Sequence, residues 1–136
     1  MVNLLIFLTP KSETLYLNQN STVRQTLENF DIHKYSVVPL IDDDGFFVST
    51  ISEGDILSFI KNSCKFDISV AEKMKIKDLE LYRPYKALPI STPMDEVVRL
   101  ALEQNFIPIV DDRGVYIGIV KRKSIIDFLL SKIEIK

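Results

Sequence analysis

Three consecutive carboxylates, Asp42, Asp43 and Asp44, stand immediately before Gly45 and could bind a cation or act as acid and base. A calcium loop needs oxygen ligands at alternate positions and a glutamate at the twelfth position, and this stretch lacks that pattern. Aspartate and glycine between two apolar runs are typical of a hairpin turn, where Gly adopts a positive φ and Asp bonds its own backbone. The sequence therefore predicts a turn.

The same turn occurs twice, because the chain contains an internal repeat. Residues 37–60 align without a gap with residues 106–129, at a shift of 69 positions. Six of the 24 aligned positions are identical, and ten more exchange one apolar residue for another, which indicates a duplicated unit. Arg113 replaces Asp44 in the second copy, and a metal site is not expected to exchange a ligand for a cation.

Each copy predicts the order strand, helix, strand, strand, helix. In the first copy TLYL (14–17) is a short strand, and Ser21 or Thr22 is the N-cap of a helix that places three apolar residues on one face: Val23, Leu27 and Phe30. The segments SVVPLI and FFVSTI are the strands beside the turn, and EGDILSFIKN is the second helix.

The second copy repeats this order. It has the strand KALPI, the closing helix IIDFLLSKI, and between them a helix with an apolar stripe at Met94, Val97, Val98, Ala101 and Leu102. Strand–helix–strand units favour parallel pairing through a right-handed crossover. The sequence therefore predicts an α/β (α+β) fold made of two β-α-β-β-α repeats.

The predicted domain organisation is repeat 1 at residues 1–62, a linker with a short helix at residues 63–78, and repeat 2 at residues 79–136. Ser69 and Glu72 match the capping-box pattern for the linker helix. A repeat of about 60 residues is too small to bury a sufficient core alone. The two repeats are therefore predicted to pack on each other about a pseudo-twofold axis.

The charge balance gives no reason to expect a nucleic acid or an anionic membrane as partner, because 17 basic and 19 acidic residues leave a net charge of −2. Lys73, Lys75 and Lys77 are more typical of a solvated face than of a binding patch. The apolar run Leu4–Leu8 is far shorter than the roughly 20 residues of a membrane span. A single cysteine, Cys64, cannot form an internal disulfide, which favours the reducing cytoplasm.

Catalytic and cofactor motifs are missing from the sequence. Its four glycines form neither a dinucleotide-binding nor a phosphate-loop pattern. His33 and Cys64 have no third residue nearby to orient them as a nucleophile pair, and one His and one Cys are too few for a zinc site. We therefore expect neither an enzyme, nor a metal, nor a cofactor.

The tandem repeat resembles the CBS domain, the family named for cystathionine β-synthase, in the paired form called a Bateman module. The resemblance is carried by a Pro-apolar strand, an Asp/Gly turn and an [ST]-x-x-D helix start, and it covers nearly the whole chain. The stretches KYSVVPLIDDDGFFVSTISEGDIL and QNFIPIVDDRGVYIGIV are similar to stand-alone bacterial CBS-pair proteins, some of which bind cyclic di-AMP. The resemblance implies two clefts between the repeats, at least one of which holds an adenosine-containing ligand.

The resemblance implies that Asp55, in Ser52-Glu53-Gly54-Asp55, receives the ribose hydroxyls, with Ser52 nearby. A carboxylate can accept both hydrogen bonds of a cis-diol, and the N-terminus of the following helix favours anions. The same four residues also match a helix cap, in which Ser52 accepts the N3 amide and Asp55 reaches back. The two roles are compatible.

The second repeat departs from the family pattern, because Lys121 and Ser124 stand where the first repeat has Ser52 and Asp55. A second diol site is therefore doubtful. Three cations at a helix start are unfavourable to the helix dipole, so a bound anion could offset them. Arg122 or Lys123 is expected to meet a phosphate, as in similar cyclic di-AMP binders, and the alternative is a solvated basic turn.

The resemblance implies further ligand contacts at the strand entrances. Tyr35 stands where an aromatic ring would lie near a base, although packing at the edge of the core is the alternative. Thr14 and Leu15, in the first strand, are expected to meet adenine through backbone groups. Asn105 and Phe106 stand at the equivalent entrance in the second repeat.

These features predict a regulatory sensor that binds AMP, ADP, ATP or cyclic di-AMP in the cleft between the repeats and signals to an unknown protein partner, as a homodimer. The alternative is a ligand-independent dimerisation module whose interface includes apolar helix residues such as Phe59, Phe128 and Leu130. Nucleic-acid binding through the lysine-rich segment is the weakest hypothesis, because the chain is slightly acidic.

Overall fold

A computed structural model describes residues 3–33, 36–65 and 67–134, and the structural statements below concern these residues. The strands are β1 (Leu8–Pro10), β2 (Leu17–Asn18), β3 (Val37–Ile41), β4 (Phe47–Ser52), β5 (Leu88–Pro89), β6 (Phe106–Val110) and β7 (Tyr116–Lys121). The helices are α1 (Val23–His33), α2 (Glu53–Ser63), α3 (Ile68–Ala71), α4 (Met94–Ala101) and α5 (Arg122–Glu134). Short 3₁₀ turns cover Leu4–Phe7, Lys11–Glu13 and Ile76–Asp78. The mixed α/β fold predicted from the sequence is confirmed.

The chain divides into two compact units, which do not follow the repeat boundaries. The first unit is Leu15–Pro84, and the second unit is Met1–Thr14 together with Tyr85–Lys136. The opening residues therefore belong with the second repeat, and the linker belongs with the first. Each unit has its own sheet and its own apolar core.

The first unit contains a three-stranded sheet in the order β2-β3-β4. Strand β2 is parallel to β3, as the strand–helix–strand pattern predicts, and β3 is antiparallel to β4. The core beneath it contains Leu17, Val23, Phe30, Val38, Leu40, Ile51, Ile56, Ile60, Cys64, Ala71, Ile76 and Leu79. Two of the three predicted core residues of α1, Val23 and Phe30, are buried, and Leu27 packs against the same core.

Two start positions in the first unit differ in detail from the sequence predictions. Strand β2 begins at Leu17 rather than at Thr14, so Thr14 and Leu15 precede it. The linker helix α3 is capped by Asp67 rather than by Ser69. The carboxylate of Asp67 accepts hydrogen bonds from the hydroxyl of Ser69 at 2.6 Å and from its amide at 3.0 Å, and these bonds lower the pKa of Asp67 below its usual 3.8.

The second unit contains a four-stranded sheet in the order β1-β7-β6-β5. Strand β5 is parallel to β6, and β7 is antiparallel to both β6 and β1. The core contains Leu4, Leu88, Val97, Ala101, Ile107, Ile109, Val120 and Ile125. Leu4 comes from the opening of the chain, and Phe7 and Leu8 of the same segment pack against this core, whereas Leu5 and Ile6 are exposed.

The Asp/Gly segments are turns in both units, which confirms the prediction. Asp42 Oδ1 accepts hydrogen bonds from the amides of Asp44 and Phe46, at 2.9 and 3.0 Å. Asp111 Oδ1 accepts the equivalent bonds, and Gly45 and Gly114 have φ angles of 89° and 93°. The bond from the Val115 amide is the largest cause of the lowered pKa of Asp111. Among the helices described, none has the length and apolarity of a membrane span.

Candidate functional site

Ser52 and Asp55 form a complete capping box at the start of α2. The Ser52 amide donates to Asp55 Oδ2 at 2.9 Å, and the Asp55 amide donates to Ser52 Oγ at 3.1 Å. This arrangement follows from the sequence, because Ser at the N-cap and an acid at N3 satisfy each other's backbone donors. The capping role weighed in the sequence analysis is therefore present.

The second oxygen of Asp55 is bonded to a distant part of the first unit. Asp55 Oδ1 accepts a hydrogen bond from the Tyr82 amide at 3.1 Å, across 27 residues of sequence. The Asp55 side chain is buried, with 5% of the residue exposed, whereas Tyr82 is 58% exposed. Asp55 therefore ties the start of α2 to the segment around Tyr82, a contact that the sequence analysis missed.

The Asp55 carboxylate retains acceptor capacity despite these two bonds. A carboxylate has about four lone-pair sites, and each oxygen of Asp55 accepts one backbone hydrogen bond. Each oxygen could therefore accept one further hydrogen bond. The two oxygens together would then match the two donors of a cis-diol.

Close to the Tyr82 segment lies a small polar cavity of about 260 Å³ in the first unit. It is lined by Ser58, Phe59, Asn62, Ser63, Asp78, Glu80 and Tyr82. Its walls supply hydroxyls, an amide, two carboxylates and two aromatic rings. Phe59, which the sequence analysis considered for an interface, packs in part against the first core.

Arg122 in the second unit binds the C-terminal end of α4. Its Nε donates to the carbonyl oxygens of Ala101 at 2.7 Å and of Gln104 at 3.1 Å. Carbonyls at the end of a helix lack intrahelical donors, and a guanidinium there is favourable to the helix dipole. The two terminal nitrogens of Arg122 have no hydrogen-bond partner within the described parts of the chain, so they could contact an anion.

The other residues of the basic segment are more solvated. Lys123 Nζ pairs with Asp127 at 2.9 Å, with side chains that are 85% and 59% exposed. An exposed pair of this kind contributes at most about 1 kcal/mol and leaves Lys123 able to exchange its partner. Lys121 is exposed at the end of β7, and Ser124 is half-buried in α5.

Arg122 also lines an apolar cavity of about 220 Å³ between α4 and α5. The remaining lining residues are Val98, Ala101, Leu102, Ile125, Ile126 and Leu129. The predicted stripe residues Val97 and Ala101 are buried, whereas Leu102 is 80% exposed. Leu102 follows the last residue of α4 as its C-cap residue and is not part of the core.

Asn105 and Phe106 lie close to Arg122 in the second unit. The Asn105 carbonyl accepts a hydrogen bond from the Arg122 amide at 3.0 Å, and the Asn105 amide donates to the Tyr85 hydroxyl at 3.3 Å. The Tyr85 and Phe106 rings meet edge to face, with centroids 4.9 Å apart. The structure therefore brings three of the proposed site residues, Arg122, Asn105 and Phe106, into one neighbourhood.

Gln104 is a residue of this neighbourhood that the sequence analysis missed. It is buried, and its side chain bonds both backbone groups of Lys86, at 2.7 and 3.0 Å, and the carbonyl of Phe106 at 3.1 Å. A glutamine after a helix gives no sequence signal of burial. The only available signal was its position beside the Pro-apolar strand of the repeat.

Thr14 and Leu15 differ from the sequence expectation in their local structure. Thr14 closes the 3₁₀ turn Lys11–Glu13 through a bond to the Lys11 carbonyl at 2.9 Å, and its hydroxyl also bonds that of Tyr116 at 2.8 Å. Leu15 packs in part against the core of the first unit. Tyr35 lies outside the described residues.

Comparisons with known proteins identify both repeats. The family model described as CBS domain matches residues 8–62 and 76–131. Over 102 residues the chain is 28% identical to the 5'-AMP-activated protein kinase subunit gamma of Saccharomyces cerevisiae. That alignment covers 71% of this chain and 31% of the yeast protein, so the chain spans about a third of the length of this relative.

Solved structures of CBS-pair proteins share the fold. CBSX2 of Arabidopsis thaliana, solved in complex with AMP, superposes with a TM-score of 0.74 at 25% identity and covers 96% of this chain and 98% of its own. CbpB of Listeria monocytogenes, solved in complex with c-di-AMP, superposes with a TM-score of 0.84 and covers 98% of both chains. Its identity of 18% supports similarity of fold alone.

Proposed function

We propose, from the premise that this chain belongs to the CBS domain family, that it is a regulatory module that binds an adenosine-containing ligand and signals to a partner protein. The observation that carries this proposal is the pair of CBS repeats, which spans most of the chain. Structural relatives with the same paired architecture were solved with AMP and with c-di-AMP. The proposed ligands are accordingly AMP, ADP, ATP or cyclic di-AMP.

For the sugar, the proposed contact is Asp55, with Ser52 beside it. The unused acceptor positions of the two Asp55 oxygens match the two hydroxyls of a ribose. In cyclic di-AMP only the 2′ hydroxyl of each ribose is free, since the 3′ oxygen is esterified. Asp55 would therefore accept two hydrogen bonds from a mononucleotide and one from a cyclic dinucleotide.

For the phosphate, the proposed contacts are Arg122 and Lys123. The terminal nitrogens of Arg122 can present a planar fork to phosphate oxygens while Nε remains bonded to the end of α4. For the base, the proposed contacts are Thr14, Leu15, Tyr35, Asn105 and Phe106. The Phe106 ring, held edge-on by Tyr85, offers an aromatic surface suited to stacking.

Thermal denaturation with AMP, ADP, ATP and cyclic di-AMP tests the proposal. A ligand at 100 times its Kd should stabilise the fold by about 2.7 kcal/mol. The Asp55→Asn variant should lose most of the shift caused by a mononucleotide, whereas Ser124→Ala, at the aligned position of the second repeat, should retain it. A folded protein whose melting temperature does not change with any of the four nucleotides would contradict the proposal.

A ligand-independent dimerisation module is the second candidate, and the surface of α5 favours it. Ile126, Leu129, Leu130 and Ile133 are between 38% and 65% exposed and recur at helical spacing. Leu130 thus lies on the surface, whereas Phe128 packs edge-on against Phe7 at 5.2 Å. Sedimentation velocity with and without AMP or cyclic di-AMP distinguishes the candidates, since this module would form the same homodimer in every sample.

The cytoplasm is the proposed location of the protein. Its single cysteine, Cys64, is buried and unpaired. A reducing compartment suits such a thiol. The free adenine nucleotides that the module would sense are themselves cytoplasmic metabolites.

A further inference from the structure

The cavity between α4 and α5 combines an apolar lining with one fixed cation. It has a volume of about 220 Å³ and lies within the second unit. Six of the seven residues that line it are aliphatic, and the seventh is Arg122. An apolar hollow with a few placed polar groups is the usual form of a small-molecule site. The chemistry of this lining therefore points to a ligand that is part apolar and part anionic.

The lining forms a slot along one face of α5. The residues of this face stand at positions i, i+3, i+4 and i+7 of the helix and span about 10 Å: Arg122, Ile125, Ile126 and Leu129. Ile125 is 1% exposed and forms the floor, whereas Ile126 is 46% exposed and forms part of the rim. The slot is therefore reached from the solvent along an aliphatic wall.

The Arg122 guanidinium stands at one end of the slot and keeps part of its binding capacity. Its Nε donates to the carbonyl oxygens of Ala101 and Gln104, at 2.7 and 3.1 Å, and Ala101 also lines the cavity. In the described parts of the chain no carboxylate pairs with Arg122, and its two terminal nitrogens make no hydrogen bond. These nitrogens can present two parallel donors to a carboxylate while Nε stays bonded to the end of α4.

We propose that this cavity binds an aliphatic carboxylate of medium chain length. The carboxylate accepts hydrogen bonds from the terminal nitrogens of Arg122, and the alkyl chain lies along the slot toward Leu129. This inference goes beyond nucleotide binding and does not rest on it. Because the proposed phosphate contact also uses Arg122, the two classes of ligand would compete for its guanidinium.

Charge favours this occupant over a second copy of the chain. In a symmetric dimer both copies present the same surface, so a contact centred on this cavity would bring their basic segments, residues 121–123, together. Like charges across a contact are unfavourable. A carboxylate instead supplies the negative charge that Arg122 lacks, and its alkyl chain covers the aliphatic wall, which a free phosphate would leave exposed.

The test titrates the full chain, without nucleotide, with sodium acetate, butyrate, hexanoate and octanoate, and follows the backbone amides by NMR. The longer carboxylates should shift the Ala101 and Ile126 resonances in a saturable way, whereas acetate should not. Affinity should rise by about fourfold for each methylene that enters the slot, which is the gain expected from burying one such group.

Two substitutions in α5 separate the cavity from the rest of the helix surface. Ile126→Glu places a second carboxylate in the slot and should weaken octanoate binding by about tenfold or more. Leu130→Glu is the matched control, because Leu130 is 47% exposed in the same helix and is not a lining residue, and this variant should bind octanoate normally. Arg122→Gln should weaken the binding of hexanoate but not that of 1-hexanol, whose uncharged head does not need the guanidinium.

Three results would overturn the proposal. The first is the absence of saturable shifts at Ala101 and Ile126 with octanoate at millimolar concentration. The second is an affinity that does not change with chain length, since the charge alone would then account for binding. The third is an equal loss of binding in Ile126→Glu and Leu130→Glu, since the ligand would then bind the general apolar face of α5. No nucleotide is present in these samples, so a failure of nucleotide binding would leave the test unaffected.

Discussion

The Asp55 side chain connects two backbone amides that are far apart in the sequence. Its two oxygens accept the amides of Ser52 and Tyr82, and its own amide donates to the Ser52 hydroxyl. Because Asp55 is buried, removing the carboxylate would leave two backbone donors without partners in a region that water enters poorly. Any ribose-binding role would be added to this structural one.

We expect Asp55→Ala to lower the free energy of unfolding by about 1–3 kcal/mol, the usual cost of leaving buried donors unsatisfied. Urea denaturation without nucleotide measures the effect. Ser124→Ala, at the aligned position of α5, makes none of these bonds and should change stability by less than about 0.5 kcal/mol. Equal stability of the Asp55→Ala variant and the wild type would contradict the structural role.

The sequence predicted only half of the Asp55 contacts. The Ser-x-x-Asp spacing determines the capping box, because the N-cap and N3 positions of any helix are neighbours. The bond to Tyr82 joins residues 27 positions apart, and it depends on where the chain after α3 returns to the first unit. Arg122 is similar: its charge was evident, but its contacts with Ala101 and Gln104 required the packing of α4 beside α5.

The two sheets differ at one edge, and a glycine accounts for the difference. Strand β7 carries β1 on its outer side, whereas the equivalent strand β4 is the last strand of its sheet. Gly118 of β7 has a φ of +152°, and a Cβ added there would lie 2.2 Å from the Thr9 carbonyl oxygen. Its counterpart in the repeat alignment is Ser49 in β4. Glycine at this position therefore permits β1 to approach.

We expect Gly118→Ala to displace β1 and to destabilise the second unit by about 1–3 kcal/mol, a cost typical of overpacking. Urea denaturation gives the stability, and loss of amide protection on β1 locates the damage. Gly54→Ala is the matched control, since an added Cβ there meets its nearest atom, Ser52 Oγ, at 3.6 Å. That control should be neutral or stabilising by up to about 1 kcal/mol, because alanine favours a helix. Unchanged protection of β1 in Gly118→Ala would refute this account.

At the scale of the whole molecule, each compact unit contains residues from beyond its own repeat. The opening segment contributes Leu4 and β1 to the second unit, and the linker contributes Ile76 to the first core. Leu79, the first residue of the predicted second repeat, also lies in the first core. Leu4 and Ile76 are 1% and 0% exposed, so these segments are integral parts of the cores that they enter.

Deletion of residues 1–10 should therefore destabilise the second unit although it shortens the first repeat. Hydrogen exchange of the truncated protein should show the largest loss of protection at Ile107, Ile109 and Val120, because Leu4 is removed from the core that they share and β1 from beside β7. Leu40 and Ile51, in the first unit, serve as internal controls and should lose less protection. A larger loss of protection in the first unit, at Leu40 and Ile51, than in the second unit would contradict this expectation. It would mean that the folding units follow the sequence repeats.

The sequence by itself determined the duplicated unit, the order of helices and strands within each copy, the two Asp/Gly turns and the capping box at Ser52. All of these depend on periodicity or on contacts between residues a few positions apart, which the local sequence specifies. Only the tertiary structure decided that the opening segment joins the second sheet, that Tyr82 bonds Asp55, and that Arg122 binds the end of α4. These features depend on pairing between distant segments, which the spacing of residues along the chain does not encode.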